Sequence, residues 1–412
     1  MLTLLIIADD FTGALDTGVQ FAKQGANTLV TTDTTIEFND LNQDVEVLVI
    51  DTESRYLSFE EAYELVYTIM EKALKYNIPH IYKKVDSALR GNISAEIKAI
   101  LDSSKGSTVP FLPAYPEMNR TLINGELYID QVRVSESIFS DDPYEPVTES
   151  NVLTRLKKEA DIQSQLVKGN ELPHQTNGIL VFDSQTDEEL EQQLEALESA
   201  DLLSITIGCA GFAKILGKHI FPNDIPVQYE MKSPLVVICG SVNPITEEQI
   251  NYAEEKKFPR IALTSKQLLN DNYWSSNEGE NELAKYADLL DRNGLVIFET
   301  SSNRSVFSEE VPPLDEFRFK IGESLGELTS ALWERHTENT FLFTGGDTLF
   351  QSMKVLGVHT IKPIAEISAG VVLSNIVWNE KQMQVLSKSG GFGNKELLVD
   401  ISGLTKNKEE EF

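Results

Sequence analysis

The chain has 412 residues, and 35 lysines and arginines against 65 aspartates and glutamates leave a formal charge of −30. So acidic a surface repels nucleic acid and anionic membranes, and neither is expected as a partner. With 41% hydrophobic residues the chain can bury a core in each of two or three domains, and its two cysteines, Cys209 and Cys239, exclude a disulfide framework or a four-cysteine zinc site within one copy.

The first ten residues, MLTLLIIADD, carry no basic residue before a short apolar run, which fits neither a secretion signal nor a membrane span. No later segment holds the roughly 18 unbroken apolar residues of a spanning helix, so a soluble, cytoplasmic protein is expected. Residues 2–7 read as a strand that stops at Asp9, and a helical segment follows from about Thr12 to Gln24, ending at Gly25. VEVLVI (45–50) reads as the next strand. Ser58 and Glu61 then form a capping box, and Phe59, Ala62, Val66, Met70 and Ala73 recur at helical spacing up to Asn77 and Pro79. HIYKKVD (80–86) is a third strand. Alternating strands and helices predict an α/β fold with a mostly parallel, doubly wound sheet.

From Gly106 to about Ser150 the pattern is irregular and punctuated by Pro110, Pro113, Pro116, Pro143 and Pro146, which reads as a long functional loop. A helix near 151–168, a strand at ILVFD (179–183), a Glu-rich helix from Asp187 to Ala200 and a strand at LLSITIG (202–208) complete the first domain. The segment 219–234 carries three prolines and no periodicity, placing a linker near 222–232 and domains at 1–225 and 226–412. A fresh α/β pattern starts at LVVICG (235–240), with Thr246 and Gln249 as a second capping box and strands at 294–300, 339–346 and 382–391. The terminal KNKEEEF reads as a solvated end.

Ligands of open α/β sheets bind beyond the carboxyl ends of the strands. The first domain places Asp9 and Asp10 after strand one, Asp51 to Arg55 after strand two, and Lys84, Asp86, Ser87 and Arg90 after strand three. Paired aspartates supply a general base or a metal ligand, and Arg55 and Lys84 neutralise an anion, a combination suited to a hydroxylated acid. Two plainer readings stand beside this one. Asp9 and Asp10 equally suit capping of the following helix, and Lys84 with Asp86 suits an exposed salt bridge.

In the second domain, Thr344-Gly345-Gly346-Asp347 and Ser389-Gly390-Gly391-Phe392-Gly393 each follow a strand, where glycines let main-chain amides approach a phosphate. Ser241 adds a hydroxyl and Lys388 a charge. One such turn alone is explained by strand-to-helix geometry; two in one domain favour a phosphate site. GCAGFAKILGK (208–218) lacks Walker spacing, because Phe212 occupies the position of the first glycine and His219 follows the lysine. No GxGxxG opens a helix after the first strand, no GxSxG is present, and the five histidines show no ligand spacing.

Six segments in order, ADDFTGALDTG (8–18), DTESR (51–55), KKVDSALRGN (83–92), PAYPEMNRTLINGEL (113–127), FTGGDTLFQSM (343–353) and SKSGGFG (387–393), resemble the four-carbon acid sugar kinases. The resemblance covers nearly the whole chain. It implies a sugar-binding first domain, a nucleotide-binding second domain and a site in the cleft between them. The reaction implied is ATP-dependent phosphorylation of the terminal hydroxyl of threonate, erythronate, or a 2-oxo- or 3-oxo-tetronate. By motif position Asp10, Arg55, Lys84, Asp86 and Ser87 meet the sugar acid, Arg55 and Lys84 gripping its carboxylate while Asp10 orients or deprotonates the hydroxyl. Ser241, Gly345, Gly346, Asp347, Gly390, Gly391 and Gly393 hold ATP. Mg2+ is expected to bridge the phosphates, with Asp347 a candidate ligand and the remaining ligands unassigned. Ala88 stands where the family often has threonine, and Ser368-Ala369-Gly370-Val371 replaces its usual turn before the last strands. A dehydrogenase of the same acids or a noncatalytic sugar-acid sensor are the alternatives from other classes; the oligomeric state is left open.

Overall fold

Leu4–Ala8 (β1) is buried at every position, as in a strand covered on both faces. The computed structural model describes residues 1–142, 145–173, 177–223, 227–240, 243–300 and 314–406. They divide into two units, Met1–Pro226 and Val227–Phe412.

In the first unit β1 is followed by α1 (Phe11–Ala22), β2 (Thr28–Thr31), β3 (Val47–Asp51), α2 (Phe59–Tyr76), β4 (His80–Lys84), α3 (Ile93–Ser103) and β5 (Thr108–Leu112). Three short strands come next, β6 (Arg120–Ile123), β7 (Glu126–Ile129) and β8 (Val132–Arg133), then α4 (Val152–Ala160), β9 (Ser164–Val167), β10 (Gly178–Phe182), α5 (Asp187–Ser199), β11 (Ile205–Gly208) and α6 (Ala210–Ile220). The main sheet runs β2-β3-β1-β4-β11-β5-β10-β9 and is parallel. Helix α1 packs on α6 and α6 on α5, while α2 packs on α3 and α3 on α4. Helix α2 begins with the expected reciprocal capping box of Ser58 and Glu61 and ends at Asn77 in the left-handed conformation.

Two expectations for this unit are corrected. The helix near 151–168 stops at Ala160, because Asp161 adopts φ 54° and its N–H caps Leu156 and Lys157; residues 164–167 then extend as β9 beside β10. The segment 106–150 is not one long loop. It contributes β5 to the main sheet and folds into the antiparallel β6-β7-β8 ribbon.

The second unit contains β12 (Met231–Lys232), β13 (Leu235–Cys239), α7 (Pro244–Glu255), β14 (Arg260–Ala262), α8 (Ser265–Leu269), α9 (Asn277–Arg292), β15 (Leu295–Glu299), α10 (Leu314–Arg335), β16 (Thr340–Thr344), α11 (Gly346–Val355), β17 (Thr360–Ser368), β18 (Val371–Trp378), β19 (Lys381–Lys388), α12 (Leu397–Gly403) and β20 (Thr405–Lys406). Its sheet order is β14-β15-β13-β16-β19-β18-β17. Pairing is parallel as far as β19, and the β17–β18 hairpin then adds antiparallel strands at one side. Met231 and Lys232, at the end of the expected linker, pair with Thr405 and Lys406 and so belong to this unit.

Thr246 and Gln249 do not form a capping box. Asn243 is the N-cap, its side chain accepting from the Ile245 N–H, and Pro244 is the first helical residue. Among the described residues no helix is long and apolar enough to cross a membrane.

Candidate active site

In the first unit, strand register sets Asp51, Ala8 and Lys84 side by side at the carboxyl edge. Asp9 and Asp10 follow at once. Asp10 occupies the N-cap position of α1 but makes no capping hydrogen bond. The Phe11 N–H donates instead to Glu53 Oε1 at 3.0 Å. With that cap supplied from another loop, Asp10 Oδ1 lies 2.7 Å from Arg55 Nη2 and 3.1 Å from Lys84 Nζ. Asp9 accepts from Arg55 Nε at 3.0 Å and Nη2 at 2.7 Å through Oδ2, and from Lys84 through Oδ1 at 3.1 Å. The capping reading of Asp9 and Asp10 is thereby set aside.

Lys84 and Asp86 are 5% and 6% exposed, so neither forms a surface salt bridge. Asp86 accepts from Arg90 Nε and Nη2, each at 3.0 Å, and from the Ala88 N–H at 3.1 Å; Arg55 Nη2 is 3.6 Å away. Three aspartates thus face three cations, Arg55, Lys84 and Arg90.

Local sequence explains this placement. Successive residues of a strand point to opposite faces, so Lys83 pairs with Glu96 of α3 at 3.0 Å while Lys84 lies over the first turn of α1. A Cβ at Gly13 would collide with the Lys84 ammonium and the Asp10 carboxylate. Arg55 sits in a short 3-10 turn whose carbonyls, Ser54 O at 2.9 Å and Leu57 O at 2.6 Å, accept from Asn92 Nδ2.

The electrostatics follow from burial and pairing. Burial works to raise the Asp9 carboxyl, but Arg55, then Lys84 and Lys83, outweigh it and hold Asp9 well below the usual range. Asp86 is likewise held low against burial by Arg90 and Arg55. Burial acts to lower Arg55 and Lys84, yet Asp10 and Asp9 push both upward. Burial, Glu53 and Asp10 raise Asp51. Desolvating this many charges is costly, so such clusters are poor evidence for stability and good candidates for function.

Ser87 is also present, and its Oγ accepts from Nη1 of Arg120. Arg120 was not among the expected site residues, although it lies within the quoted segment 113–127. Its main chain is fixed by reciprocal bonds with Tyr115, at 2.7 and 3.1 Å. Arg90 and Arg120 both lie over the Phe139 ring, 5.3 and 5.5 Å from its centroid.

In the second unit, register aligns Glu299, Cys239, Thr344 and Lys388 along the carboxyl edge. Gly345, at φ 93°, turns β16 into α11, and its N–H donates to Lys388 O at 2.9 Å, so the turn at Gly345, Gly346 and Asp347 adjoins the loop at Gly390, Gly391 and Gly393. Carbonyls of that loop are tied down: Thr246 Oγ1 donates to Gly390 O at 2.9 Å, and Gln249 Nε2 to Phe392 O at 3.0 Å and Asn394 O at 2.9 Å. Buried Lys388 donates to Thr246 Oγ1 at 3.3 Å, Ser389 O at 3.1 Å and Gly390 O at 3.3 Å, and burial lowers it to about 8. Among the described residues the N–H groups of Gly390, Gly391 and Gly393 donate to no protein acceptor, which leaves them to an anion or to water. The Ser368–Val371 turn packs on this loop, since a Cβ at Gly370 would stand 2.6 Å from the Phe392 ring. Asp347 is in the first turn of α11, and Ser241 lies outside the described residues. Among the described residues no group of three or more acidic, histidine or cysteine side chains could hold a metal ion.

The segment 208–218, excluded above as a phosphate loop, is β11's end and α6; Gly211 serves packing, as a Cβ there would meet Ala114 O at 2.8 Å.

One unit thus carries a charged, hydroxyl-bearing strand edge and the other a glycine-rich one. Residues 4–216 match the family model of a sugar-binding N-terminal domain and residues 236–398 that of a nucleotide-binding C-terminal domain. The chain is 26% identical to the D-threonate kinase of Salmonella typhimurium, covering 96% of this chain and 97% of that one. It is 25% identical to the D-erythronate kinase of Heliobacterium modesticaldum, covering 96% and 95%, and 25% identical to the 3-oxo-tetronate kinase of Haemophilus influenzae, covering 97% and 99%. A solved structure of a Haemophilus influenzae protein shares the fold, with a TM-score of 0.77 and 22% identity over 98% of this chain and 100% of that one. The chain belongs to the four-carbon acid sugar kinase family, which makes it a phosphotransferase.

Proposed function

We propose that this kinase transfers the γ-phosphoryl group of ATP to the terminal (4-) hydroxyl of a four-carbon sugar acid, D-threonate or D-erythronate, with 3-oxo- or 2-oxo-tetronate as the alternative acceptors. The observation that carries this reading is the release of Asp10 from capping α1. A carboxylate at a strand's end, spared from its structural duty and oriented by Arg55 and Lys84, is placed to bind and orient an acceptor hydroxyl.

In this reading Asp10, Asp86 and Ser87 contact the polyhydroxy acid. Arg55 and Lys84, expected to grip the carboxylate, have their charges matched by Asp9, Asp10 and Asp86. Their part is to present Asp10 to the acceptor. The main-chain amides at Gly390, Gly391 and Gly393 and the first turn of α11 at Gly345, Gly346 and Asp347 cradle the phosphates, with Ser241 beside them. Phosphoryl transfer asks little covalent work of a protein beyond alignment, charge stabilisation and exclusion of water, which is the work proposed for these residues. Mg2+ neutralises charge on the phosphates when bound; Asp347 is the side chain offered for it, and ions of this kind keep several waters and phosphate oxygens as ligands.

The test is a screen for ADP release over D- and L-threonate, D- and L-erythronate and the 2-oxo and 3-oxo acids. Turnover with at least one is expected. Binding of an acid without ADP release from any of them sinks the catalytic reading and leaves a sensor.

A further inference from the structure

We infer that Arg120 is the residue that holds the carboxylate of the sugar acid, through Nε and Nη2. The inference rests on reading the first unit as the acid-binding half. It starts from charge. Asp9, Asp10, Asp86 and Asp142 pair with Arg55, Lys84 and Arg90 in buried or partly buried ion pairs, so the cluster has no positive charge left over and a monoanionic acid needs a further cation. Among the described residues no carboxylate pairs with the Arg120 guanidinium.

Geometry points the same way. Nη1 is occupied by Ser87, the hydroxyl nearest in sequence to the Asp86 cluster. Nε is buried and has no hydrogen-bond partner. A buried donor left unsatisfied on a charged group is costly, unless a ligand completes it. Nε and Nη2 form one edge of the planar fork, the edge that accepts both oxygens of a carboxylate side by side. The fork cannot swing freely, because Phe139 lies under its face at 5.5 Å and the Tyr115 main chain holds its strand end. The β6-β7-β8 ribbon thus acquires a purpose: it carries the acid-selective cation to a site whose other charges are already paired.

The test uses the full chain and two variants, Arg120→Gln and Arg120→Lys. Binding of D-threonate and of D-erythronate alone, without ATP, is followed by the rise in melting temperature. For the wild type a rise is expected with at least one acid; in R120Q the apparent dissociation constant should increase about 30- to 100-fold. R120K, which keeps the charge and loses the fork, should fall between the two. In turnover, the KM for the acid should rise in the same order while the KM for ATP stays within about twofold, which a merely structural role would not produce. The inference is overturned by acid binding in R120Q within about threefold of wild type, or by a parallel loss of ATP affinity. Should R120Q fail to fold, R120K binding the acid as well as wild type does would overturn it equally. Because acid binding is read without catalysis, loss of this inference and loss of the kinase reading are separately visible: the second shows as no ADP release from a wild type that still binds acid.

Discussion

Asp10 Oδ1 and Arg55 Nη2 are 2.7 Å apart, and this contact exists because Glu53, two residues before Arg55, caps the helix that Asp10 would otherwise cap. One loop therefore supplies both the substitute cap and the cation that claims the freed carboxylate. Capping exchanged between loops turns an ordinary helix start into a held carboxylate. The arrangement separates what this helix start needs for folding from the role proposed for Asp10 in the reaction.

Asp10→Asn should therefore be a clean test. Its helix keeps the Glu53 cap, Arg55 and Lys84 keep Asp9, and the substituted amide is isosteric and at a partly exposed position, so the loss of stability should be smaller than that of Arg55→Ala. ADP release should drop about 10²- to 10⁴-fold with the KM for ATP nearly unchanged. A variant that keeps a tenth or more of wild-type turnover would remove Asp10 from the reaction.

Arg55→Ala is expected to act through stability. Arg55 is 5% exposed and touches three carboxylates, Asp9, Asp10 and Asp86. Removing one partner of a buried cluster strands the others, at a cost of about 3–5 kcal/mol. Urea unfolding should show a loss of that size, concentrated in the first unit, and larger than that of Arg120→Gln. If Arg55→Ala melts like the wild type and only the acid KM rises, the direct grip first expected of Arg55 is restored.

Much of this was legible in the sequence, for physical reasons that also set the limits. β1, β3 and β4 announce themselves as apolar runs ending in charge, and α2 by Ser58, Glu61 and its apolar spacing. The β17–β18 hairpin is silent because β17 alternates in exposure and carries Pro363, so its run is broken twice over. Thr246 and Gln249 match the capping pattern, yet Asn243-Pro244 starts the helix earlier and frees both side chains for the glycine loop. Arg120, the residue inferred to hold the acid, is not legible in the sequence because nothing near it in sequence pairs with it; only folding brings it to Ser87 and Phe139. Long-range pairing is the part that periodicity does not encode.

Lys388 predicts a pH signature. Burial lowers it to about 8 from its ordinary 10.5, so between these values the unfolded chain binds a proton that the folded one does not. Stability therefore rises with pH from about 8 to 10.5, and is flat with respect to this group below pH 8. Lys388→Met should remove that rise, read as the difference between wild-type and variant unfolding free energies over pH 7.5–10. Losing the bonds to Ser389 O, Gly390 O and Thr246 should also loosen the loop and raise the KM for ATP about tenfold, with the acid KM unmoved. Equal pH slopes in the two proteins would show that Lys388 titrates normally.

Chelation should separate metal use from metal-dependent folding. Among the described residues no ready-made cluster could hold a metal, and the one acidic side chain in the first turn of α11 is Asp347. An ion attached mainly through phosphate oxygens and water arrives with the nucleotide and contributes nothing to the empty protein. EDTA in excess should therefore abolish ADP release, with recovery on adding Mg2+, while leaving the melting temperature without nucleotide unchanged within about 1 °C. Adding ATP should raise the melting temperature more with Mg2+ than with EDTA, and Asp347→Asn should shrink that difference. A drop in melting temperature on chelation alone would instead reveal a resident structural ion.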